Sequence, residues 1–428
     1  MSCVLVVGGG GREHALAWAL SRSPNVDRLL VAPGNPGTAA CDRTENVATS
    51  AGDVAGLVAL CRRESVDLAV IGPEDPLAAG IVDALASAGV SAFGPSAACA
   101  RLEASKAYCK RFLIDNGIPT AAAEVFDDPD DALAHLASRP DVPVVKASGL
   151  AAGKGVIVPE TPAEAAGAVK AMLVERRFGS AGEQILLEER LRGREVSVLA
   201  FCDGERFAVL PPAQDHKRLR AGDEGPNTGG MGAFTPSPAI DDRLIEQIGG
   251  QVIAPTLAAL GRAGTPYRGL LYAGLMITDD GPKVIEFNCR FGDPETQAVI
   301  RLLRSDLFEV MAACATGSLR GVIVEWAPLA SVAIVMASAG YPVAGSDPVP
   351  ISGVDIAEQE EGCVVFHAGT GVIDGALHAT GGRVLAVTAT GPDVATAAAR
   401  AYRGVGAIRF AGAQHRADIG RARAEVHL

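Results

Sequence analysis

The stretch Lys283-Val-Ile-Glu286-Phe-Asn288-Cys-Arg290-Phe-Gly292-Asp293-Pro-Glu295-Thr296-Gln297 decides how the chain is interpreted. Its first half alternates between apolar and polar side chains, which is typical of a strand with one buried face. Glu286 and Asn288 are therefore expected to project from the same face, which Arg290 continues. A carboxylate and an amide carbonyl suit a Mg²⁺ ion that keeps other positions for water and phosphate. We interpret the stretch as a metal-binding strand with a cation beside the metal, and not as a solvated edge strand.

Length and composition predict a multidomain protein of the cytoplasm. The chain has 428 residues, which is enough for roughly two to four domains. Aromatic residues make up only 4% of it, so the core must be built from Ala, Val, Leu and Ile. The net charge of −12 argues against a nucleic-acid-binding protein, and anionic ligands need a local basic patch. The nine cysteines form no C-x-x-C pair, which predicts reduced thiols, and no apolar run predicts a membrane span or a signal peptide.

Three units follow one another along the chain. Residues 1–103 alternate strands with helices, which predicts a parallel sheet with ligands at the carboxyl ends of its strands. Within this unit, residues 76–88 predict one helix that Gly89 terminates. Residues 104–320 predict a mainly antiparallel α+β unit, and residues 321–428 predict a smaller α+β unit. The expected fold class is therefore a multidomain combination of α/β and α+β domains.

The first glycine-rich loop, Gly8–Gly11, follows a predicted strand and opens a helix, so that its N–H groups can cradle a phosphate. It matches the dinucleotide-binding fingerprint only weakly, because Glu13 stands at the third glycine position. The second strand ends in Ala32-Pro33-Gly34 and offers no acid for a ribose hydroxyl, so a nicotinamide cofactor is disfavoured. Arg12 favours a phosphate-bearing ligand over a turn that serves packing alone.

The second glycine-rich loop, Gly149–Gly155, follows Lys146. It is not a P-loop, because three residues and not four separate its glycines and Lys154 is followed by glycine. Strands are predicted on both sides, so we expect a lid that folds over a triphosphate. Lys146 and Lys154 then act as point charges on the phosphate oxygens. A mobile surface turn is the alternative that the loop by itself leaves open.

A charged connection joins two predicted strands between Glu188 and Glu195. The end of a strand followed by a tight connection exposes backbone groups that can bond the edge of an adenine. Glu189 and Leu191 lie in this connection, and Glu195 is placed to accept hydrogen bonds from ribose hydroxyls. A connection of this kind is also commonly only solvated, so the signal is weak by itself.

A basic segment that contains Asp215 and Lys217 leads into the loop 227–232, Asn-Thr-Gly-Gly-Met-Gly. The loop has few side chains to pack, so its backbone can approach a ligand closely. A long solvated loop is the alternative, but loops of this length in compact domains are usually functional.

Together these segments resemble one family, the phosphoribosylamine–glycine ligases (glycinamide ribonucleotide synthetases) of the ATP-grasp superfamily. The resemblance covers the whole chain, and the combination of motifs is specific. It is carried by residues 8–15, 32–38, 72–77, 106, 146–155, 188–197, 214–217, 225–233, 272–276, 283–297 and 418–420. The chain departs from the family pattern at Ser148, where Asp is common. It also has no acid in the strand before the metal motif, where the wider superfamily often has one.

The resemblance implies the ATP-dependent ligation of glycine to 5-phosphoribosylamine, with glycyl phosphate as the intermediate and glycinamide ribonucleotide, ADP and phosphate as products. It implies a Rossmann-like pre-ATP-grasp domain at 1–103, an ATP-grasp domain at 104–320 with a nucleotide lid at about 120–192, and a C-terminal domain at 321–428. Mg²⁺ or Mn²⁺ is the expected cofactor and ATP the co-substrate. The expected partners are small molecules, without nucleic acid or membrane, and the expected assembly is a monomer or weak dimer.

The resemblance also implies roles for individual residues. Catalytic roles fall to Arg290, Lys146 and Lys154, and metal binding to Glu286 and Asn288. ATP binding falls to Lys106, Lys146, Gly153, Lys154, Glu188, Glu189, Leu191 and Glu195. Substrate binding falls to Gly10, Gly11, Arg12, Glu13, Glu74, Asp215, Lys217, Thr228, Gly229, Gly230 and Asp293. Lys110 shares a predicted helix face with Lys106, but only Lys106 fits the family position.

Three other functions compete with this interpretation. A nicotinamide-dependent oxidoreductase is suggested by the first unit, but the missing ribose acid argues against it. Another ATP-grasp enzyme, such as a biotin carboxylase-like or formate-using ligase, would share the nucleotide site and differ in the first unit and in the loops at 214–232. A non-catalytic nucleotide sensor is not expected to keep every charged group of the site.

Overall fold

A computed structural model of the protein describes residues 2–151 and 154–421. The first unit is a parallel sheet of five strands in the order β3-β2-β1-β4-β5. Val4 and Val6 of β1 pack in one core cluster while Leu5 and Val7 pack in another, because alternate side chains of a strand point to opposite faces. The elements are β1 Ser2–Gly8, α1 Gly11–Leu20, β2 Val26–Pro33, α2 Pro36–Ala39, β3 Thr44–Asn46, α3 Val54–Arg63, β4 Leu68–Ile71, α4 Glu74–Ala78, α5 Ile81–Ser87, β5 Ser91–Phe93 and α6 Ala97–Ala104.

The predicted single helix at 76–88 is wrong. The segment forms two helices, α4 and α5, and Gly80 separates them with a φ of +86° in the left-handed region. Glycine has no Cβ and adopts this conformation without a steric penalty, so it redirects the chain between the helices. The break lets α4 begin at Glu74, directly after the loop at the carboxyl end of β4.

The middle of the chain builds two antiparallel sheets, in the orders β6-β9-β7-β8 and β11-β10-β16-β17. The sequence Thr278-Asp-Asp-Gly281 predicts a hairpin turn, and it joins β16 to β17 with Thr278 opposite Gly281. The elements are α7 Lys106–Asp115, β6 Ala123–Phe126, α8 Pro129–Ser138, β7 Val144–Ala147, β8 Val156–Ile157, α9 Pro162–Val169, β9 Ile185–Glu188, β10 Arg194–Asp203, β11 Phe207–Val209, β12 Gln214–Asp215, β13 Arg218–Arg220, β14 Glu224–Asn227, β15 Gly232–Thr235, α10 Asp242–Ile248, α11 Ala254–Arg262, β16 Arg268–Thr278, β17 Gly281–Asn288, α12 Glu295–Val299 and α13 Leu307–Thr316.

The last part of the chain completes a five-stranded sheet in the order β12-β15-β18-β23-β20. Two of its strands, β12 and β15, come from the middle of the chain, so this sheet ties the C-terminal unit to the loop between residues 215 and 232. The elements are β18 Ala330–Ala337, β19 Val349–Pro350, α14 Val354–Ala357, β20 Cys363–His367, β21 Thr370–Ile373, β22 Ala376–Ala379, β23 Arg383–Gly391 and α15 Val394–Ala407. The expected combination of a parallel first unit, antiparallel middle sheets and a small α+β third unit is confirmed.

A shared core joins the three units. Phe93 of β5, Phe201 of β10 and Phe291 after β17 form a triangle of rings with centroids 6.0–6.2 Å apart. The same buried cluster extends to Val335 and Phe366 of the C-terminal unit. Aromatic rings bury large apolar areas and contribute strongly to stability. The end of β17 is therefore fixed against the first unit by packing as well as by polar contacts.

Two general features of the chain bear on its environment. All nine cysteines are free thiols, as expected for reduced cysteines. Within residues 2–151 and 154–421, no helix is long and apolar enough to cross a membrane.

Two histidines lie at the contact between the first and the C-terminal unit. The backbone N–H of His367 donates to Nδ1 of His14 at 2.8 Å, and the centroids of the two imidazole rings are 5.6 Å apart. Burial lowers the pKa of His14 to about 3, with a smaller contribution from His367, and burial lowers the pKa of His367 to about 4. Both side chains are therefore neutral in the folded protein at neutral pH.

From the lowered pKa values of these histidines we expect the free energy of unfolding to decrease in acid. Between pH 6.5 and the lowered pKa values of His14 and His367, the unfolded chain binds more protons than the folded chain does. The contribution of the two neutral histidines to the free energy of unfolding is therefore complete above pH 6.5 and is lost as the pH falls. From pH 7.5 to 5 we expect a loss of about 2 kcal/mol for each histidine. The His367→Gln variant should lose less stability over this range in urea unfolding. His378→Gln, at a partly exposed histidine, is the control, and an equal response of both variants would contradict the assignment.

Candidate active site

A cleft of about 2220 Å³ lies where the three units meet. It brings together most of the residues that the sequence analysis singled out, although they come from segments hundreds of residues apart. The predicted residues that line it are Arg12, Glu74, Lys106, Lys146, Glu188, Glu189, Leu191, Glu195, Asp215, Lys217, Thr228, Gly229, Glu286, Asn288, Arg290 and Asp293.

Five predicted residues are not in that lining within the described part of the chain: Gly10, Gly11, Glu13, Lys154 and Gly230. Glu13 instead accepts a hydrogen bond from the N–H of Gly10 at 2.7 Å and closes the first turn of α1. It also accepts from Nε of Arg12 at 2.5 Å. Lys154 is exposed, and Gly153 lies outside the described residues. Glu13 thus shapes the loop that carries Arg12.

The strand β17, for which the sequence predicts a metal site, contains a bulge. Its register against β16 shifts between the pairs Gly274–Glu286 and Leu275–Val284, so Ile285 is the extra residue. The predicted alternation is therefore wrong at Ile285, but it holds from Glu286 onwards. Phe287 is buried in the core while Glu286 and Asn288 line the cleft. Bulges commonly re-aim side chains next to active sites.

Cations surround Glu286. Burial opposes ionisation of its carboxyl group, but Lys217, Lys106, Lys146 and Arg290 outweigh this effect and hold the pKa of Glu286 below its usual value. The nearest described cation is Nζ of Lys217, at 4.0 Å from Oε1. An acidic chain thus carries a local basic patch here, as an anionic ligand requires.

The donor set fits a hard divalent cation only in part. Glu286 and Asn288 supply a carboxylate and an amide oxygen from one strand. Oδ1 of Asn288 accepts a hydrogen bond from Arg290 at 3.2 Å. Among the described residues, no group of three or more His, Cys, Asp or Glu side chains could hold a metal ion. The residues present fit a Mg²⁺-like ion that takes its other ligands from phosphate and water.

Arg290 is held by two carboxylates. Its guanidinium contacts Oε2 of Glu74 at 3.1 Å and Oε1 of Glu103 at 2.8 Å. Glu103 also accepts from the N–H of Cys289 at 2.6 Å. Burial raises the pKa of Glu103 although Arg290 opposes the change. Glu103 was not predicted from the sequence, because a single acid near the end of an ordinary helix carries no local signal.

Lys146 belongs to a buried ion-pair cluster. Glu188 contacts Nζ of Lys146 at 2.5 Å and Nζ of Lys110 at 2.9 Å, and all three side chains are almost completely buried. Lys146 also donates to the carbonyl of Ile285 at 3.2 Å, which is the bulged residue of β17. The cluster therefore fixes Lys146 beside β17. Lys110, which did not fit the family position, is the second cation that Glu188 needs.

Lys106 reaches the cleft from the start of α7. Its Nζ donates to the carbonyl of Gly149 at 3.3 Å, and burial lowers its pKa. Ser148, one of the departures from the family pattern, accepts from the N–H of Ala107 at 3.2 Å. Its backbone carbonyl accepts from the N–H of Lys106 at 2.7 Å. Ser148 therefore joins the start of the lid loop to the helix that carries Lys106.

A second group of acids that lines the cleft consists of Asp215, Glu295 and Glu195. Burial raises the pKa of Asp215 to about 7; Lys217 opposes this, and Glu295 adds to it. The hydroxyl of Tyr272 lies 2.8 Å from Oε1 of Glu295 and 2.8 Å from Ser197. Glu195 accepts from Lys217 at 2.5 Å. Tyr272 and Glu295 were not assigned roles from the sequence, although both lie in segments that carried the resemblance.

The C-terminal unit also reaches the cleft. Arg383 donates from one nitrogen to the carbonyls of Gly229 and Asp293, both at 2.7 Å. The hydroxyl of Tyr341 accepts from the N–H of Gly229 at 2.8 Å. No role was predicted from the sequence for Arg383 or Tyr341, because neither belongs to a recognisable motif.

The fold and site define a protein of the ATP-grasp class. A crystal structure of phosphoribosylamine–glycine ligase from Thermotoga maritima superposes with a TM-score of 0.82 at 32% identity, and the match covers 97% of this chain and 99% of that chain. A biotin carboxylase domain from Hydrogenobacter thermophilus shares the fold with a TM-score of 0.71 at 14% identity, covering 97% of this chain and 91% of that chain.

The chain belongs to the phosphoribosylamine–glycine ligase family, which is a family of ATP-grasp ligases. The three domain models of phosphoribosylglycinamide synthetase match it at residues 2–103 (N domain), 104–296 (ATP-grasp domain) and 331–422 (C domain). The phosphoribosylamine–glycine ligase of Allochromatium vinosum is 50% identical over 97% of each chain. The family prediction is confirmed.

One group of relatives is longer. The trifunctional purine biosynthetic protein adenosine-3 of Gallus gallus is 52% identical over 97% of this chain. The chain spans 42% of the length of that relative.

The ion-pair cluster predicts that Lys110 contributes to the stability of the fold, although it does not match the family's lysine position. Lys110→Met leaves Glu188 with one cation in a buried site, so we expect a loss of about 1–3 kcal/mol of unfolding free energy. Urea unfolding measures it. Lys283→Met is the matched control, since Lys283 faces Asp280 at 3.8 Å and that aspartate is 85% exposed. A loss in the control equal to that in Lys110→Met would contradict the role of burial.

Proposed function

We propose that this chain catalyses the ligation of glycine to 5-phosphoribosylamine with ATP, giving glycinamide ribonucleotide, ADP and phosphate. The observation that carries the proposal is that Glu286 and four cations line one cleft shared by the three units of a chain of this family, with Lys217 at 4.0 Å from Glu286. The alternative of a nicotinamide-dependent oxidoreductase receives no support from the site, because β2 ends in Ala32-Pro33 and offers no acid there for a ribose hydroxyl.

The chemistry requires activation of glycine. A free carboxylate is a poor acyl donor to an amine, since the leaving group would be oxide. Attack of a glycine carboxylate oxygen on the γ-phosphorus of ATP forms glycyl phosphate and breaks the bond to ADP. The amine of phosphoribosylamine then attacks the glycyl carbonyl and loses a proton, and phosphate leaves. Both steps depend mainly on positioning and on neutralisation of charge.

The residues of the cleft supply this neutralisation in the proposal. Lys106, Lys146 and Lys217 offer positive charge to the phosphates, and Arg290 stabilises the charge that develops on the transferred phosphoryl group. The ion pairs of Arg290 with Glu74 and Glu103 fix its position before a substrate arrives. Such preorganised groups are effective because they need no reorganisation during the reaction.

Glu286 and Asn288 are the residues that would hold a divalent ion, Mg²⁺ or Mn²⁺. The ion, when bound, supplies neutralisation of charge on the phosphates of ATP. The loop at 149–155, with Lys154 and Gly153, is proposed as the nucleotide lid.

The remaining predicted residues keep their proposed roles. Glu188, Glu189, Leu191 and Glu195 are proposed to border the adenosine of ATP. The substrates are proposed to lie against Gly10, Gly11, Arg12, Glu13, Glu74, Asp215, Lys217, Thr228, Gly229, Gly230 and Asp293. The same proposal includes the domain limits 1–103, 104–320 and 321–428 and the lid at about 120–192. It also includes a cytoplasmic location and a monomer or weak dimer that binds neither nucleic acid nor membrane.

An assay of ADP release tests the proposed function. With ATP, glycine and phosphoribosylamine, we expect ADP and glycinamide ribonucleotide in equal amounts. Omission of either glycine or the amine should abolish formation of glycinamide ribonucleotide. Equal ADP release with an unrelated amine, or transfer to bicarbonate or formate instead, would contradict the proposal.

The metal assignment predicts the effect of Glu286→Ala. We expect kcat to fall by about 10²–10³-fold or more, because a ligand to the charge-neutralising ion is lost. The urea midpoint should stay close to that of the wild type, since Glu286 is not part of the apolar core. Asp280→Ala, in the exposed hairpin of the same strand pair, is the control and should retain full activity. Wild-type turnover by Glu286→Ala would remove the metal assignment.

A further inference from the structure

Arg383 is a cation of the C-terminal unit that the reaction proposed above does not use. It lies at the start of β23, lines the cleft and has a side chain that is 23% exposed. One of its terminal nitrogens, Nη1, donates to the carbonyls of Gly229 and Asp293 and contacts Oδ1 of Asp293 at 3.2 Å. Among the described residues, none accepts a hydrogen bond from its Nε or its other terminal nitrogen, Nη2.

The backbone around Arg383 is built to bring it there. A register shift between Met336 and Ala337 of β18 lies directly opposite the start of β23. A Cβ on Gly381 would lie 2.8 Å from the Cα of Gly369, and a Cβ on Gly382 would lie 2.6 Å from the ring of Tyr341. Side chains at these positions would force the two loops apart. The glycines and the bulge therefore aim Arg383 at the loop 227–232.

Asp293 joins Arg383 to the first glycine loop. Its Oδ2 would lie 3.7 Å from a Cβ on Gly10, so the loop that carries Arg12 lies directly beside it. Arg12 donates to Glu13 and to the carbonyl of Phe291, and no described residue accepts from its remaining terminal nitrogen. Two anchored guanidinium groups with unused donors thus border the same end of the cleft.

This end of the cleft adjoins the cations around Glu286, since the carbonyl of Phe291 accepts from both Arg12 and Arg290 at 3.1 Å. The cations around Glu286 are Lys106, Lys146, Lys217 and Arg290. Arg383 instead contacts Gly229 and Asp293. The glycine carboxylate must meet the γ-phosphate, so the anion left for Arg383 is the phosphate of the second substrate. A guanidinium suits this role because its planar set of donors matches phosphate oxygens in pairs.

We propose that Arg383, together with Arg12, binds the 5-phosphate of phosphoribosylamine and that the C-terminal unit thereby sets specificity for a phosphorylated ribose. The proposal rests on the proposed function for the identity of the substrate, but the binding of a ribose phosphate can be measured without turnover. The contacts of Nη1 of Arg383 with Gly229 and Asp293 hold the guanidinium in place. The side chain therefore loses less conformational entropy when it binds a phosphate.

The first test is direct binding of ribose 5-phosphate and of ribose to the full chain by isothermal titration calorimetry. We expect ribose 5-phosphate to bind the wild type at least about 10-fold more tightly than ribose does, because hydrogen bonds to charged groups each contribute about 1.5–3 kcal/mol. Arg383→Gln should lose this preference, and Arg383→Lys should keep part of it. Arg403→Gln is the matched control, since Arg403, which lies on α15, pairs with Glu360 and does not line the cleft.

The second test is kinetic. For Arg383→Gln and Arg383→Lys the KM for phosphoribosylamine should rise about 10–100-fold and about 3–10-fold respectively, with the KM for ATP and for glycine changed less than about 2-fold. Tyr341→Phe removes another contact to Gly229 without removing a cation. If Tyr341→Phe raises the same KM as much as Arg383→Gln does, Arg383 acts only by holding the loop and the proposal is overturned.

The outcomes separate this proposal from the proposed function. Loss of ribose 5-phosphate binding in Arg383→Gln supports the phosphate site even if the wild type makes no glycinamide ribonucleotide. An unchanged affinity for ribose 5-phosphate in both Arg383 variants, when the wild type prefers it to ribose, overturns the phosphate site even if ligase activity is present. Equal affinity of the wild type for ribose and ribose 5-phosphate overturns it as well.

Discussion

The ion pairs of Arg290 with Glu74 and Glu103 hold the whole site in place. Glu74 begins α4 after the first sheet, Glu103 ends α6, and Arg290 follows β17. Removal of one member of such a buried group leaves an uncompensated charge, which costs far more than the loss of an exposed pair. The packing of Phe291 against Phe93 works in the same direction. The orientation of Glu286 and Asn288 relative to the first unit therefore depends on this contact.

The cleft concentrates positive charge in a chain that is acidic as a whole. The chain carries a net charge of −12, yet its ligands in the proposed function are anions. The solution is local: Glu188 pairs with both Lys110 and Lys146, and Glu195 pairs with Lys217, so that the lysines are held close together without a ligand. A field that is built from oriented, buried groups acts more strongly on a triphosphate than the same charges in water.

The C-terminal unit is not only a scaffold beside the nucleotide site. Its main sheet includes β12 and β15, so the loop between residues 215 and 232 is anchored in it at both ends. Tyr341 and Arg383 then hold the peptide of Gly229 from two sides. The unit thus determines the shape of a loop that the middle of the chain contributes, and this is why the site is complete only when all three units are packed together.

The sequence by itself determined the order of the elements, the parallel character of the first unit, the hairpin at Thr278–Gly281 and the strand that carries Glu286 and Asn288. These features depend on local periodicity and on turn residues, which act over a few positions. The break at Gly80 and the bulge at Ile285 escaped the same reasoning, because each changes the phase of a pattern at one residue. Only the tertiary structure decided that Glu103, Lys110 and Arg383 belong to the cleft. Glu103 lies 187 positions from its partner Arg290 (290 − 103), and Lys110 lies 78 positions from Glu188 (188 − 110). Arg383 lies 90 positions from Asp293 (383 − 293). Ion pairs over such separations leave no periodic trace in a single sequence, since they exist only after the chain has folded.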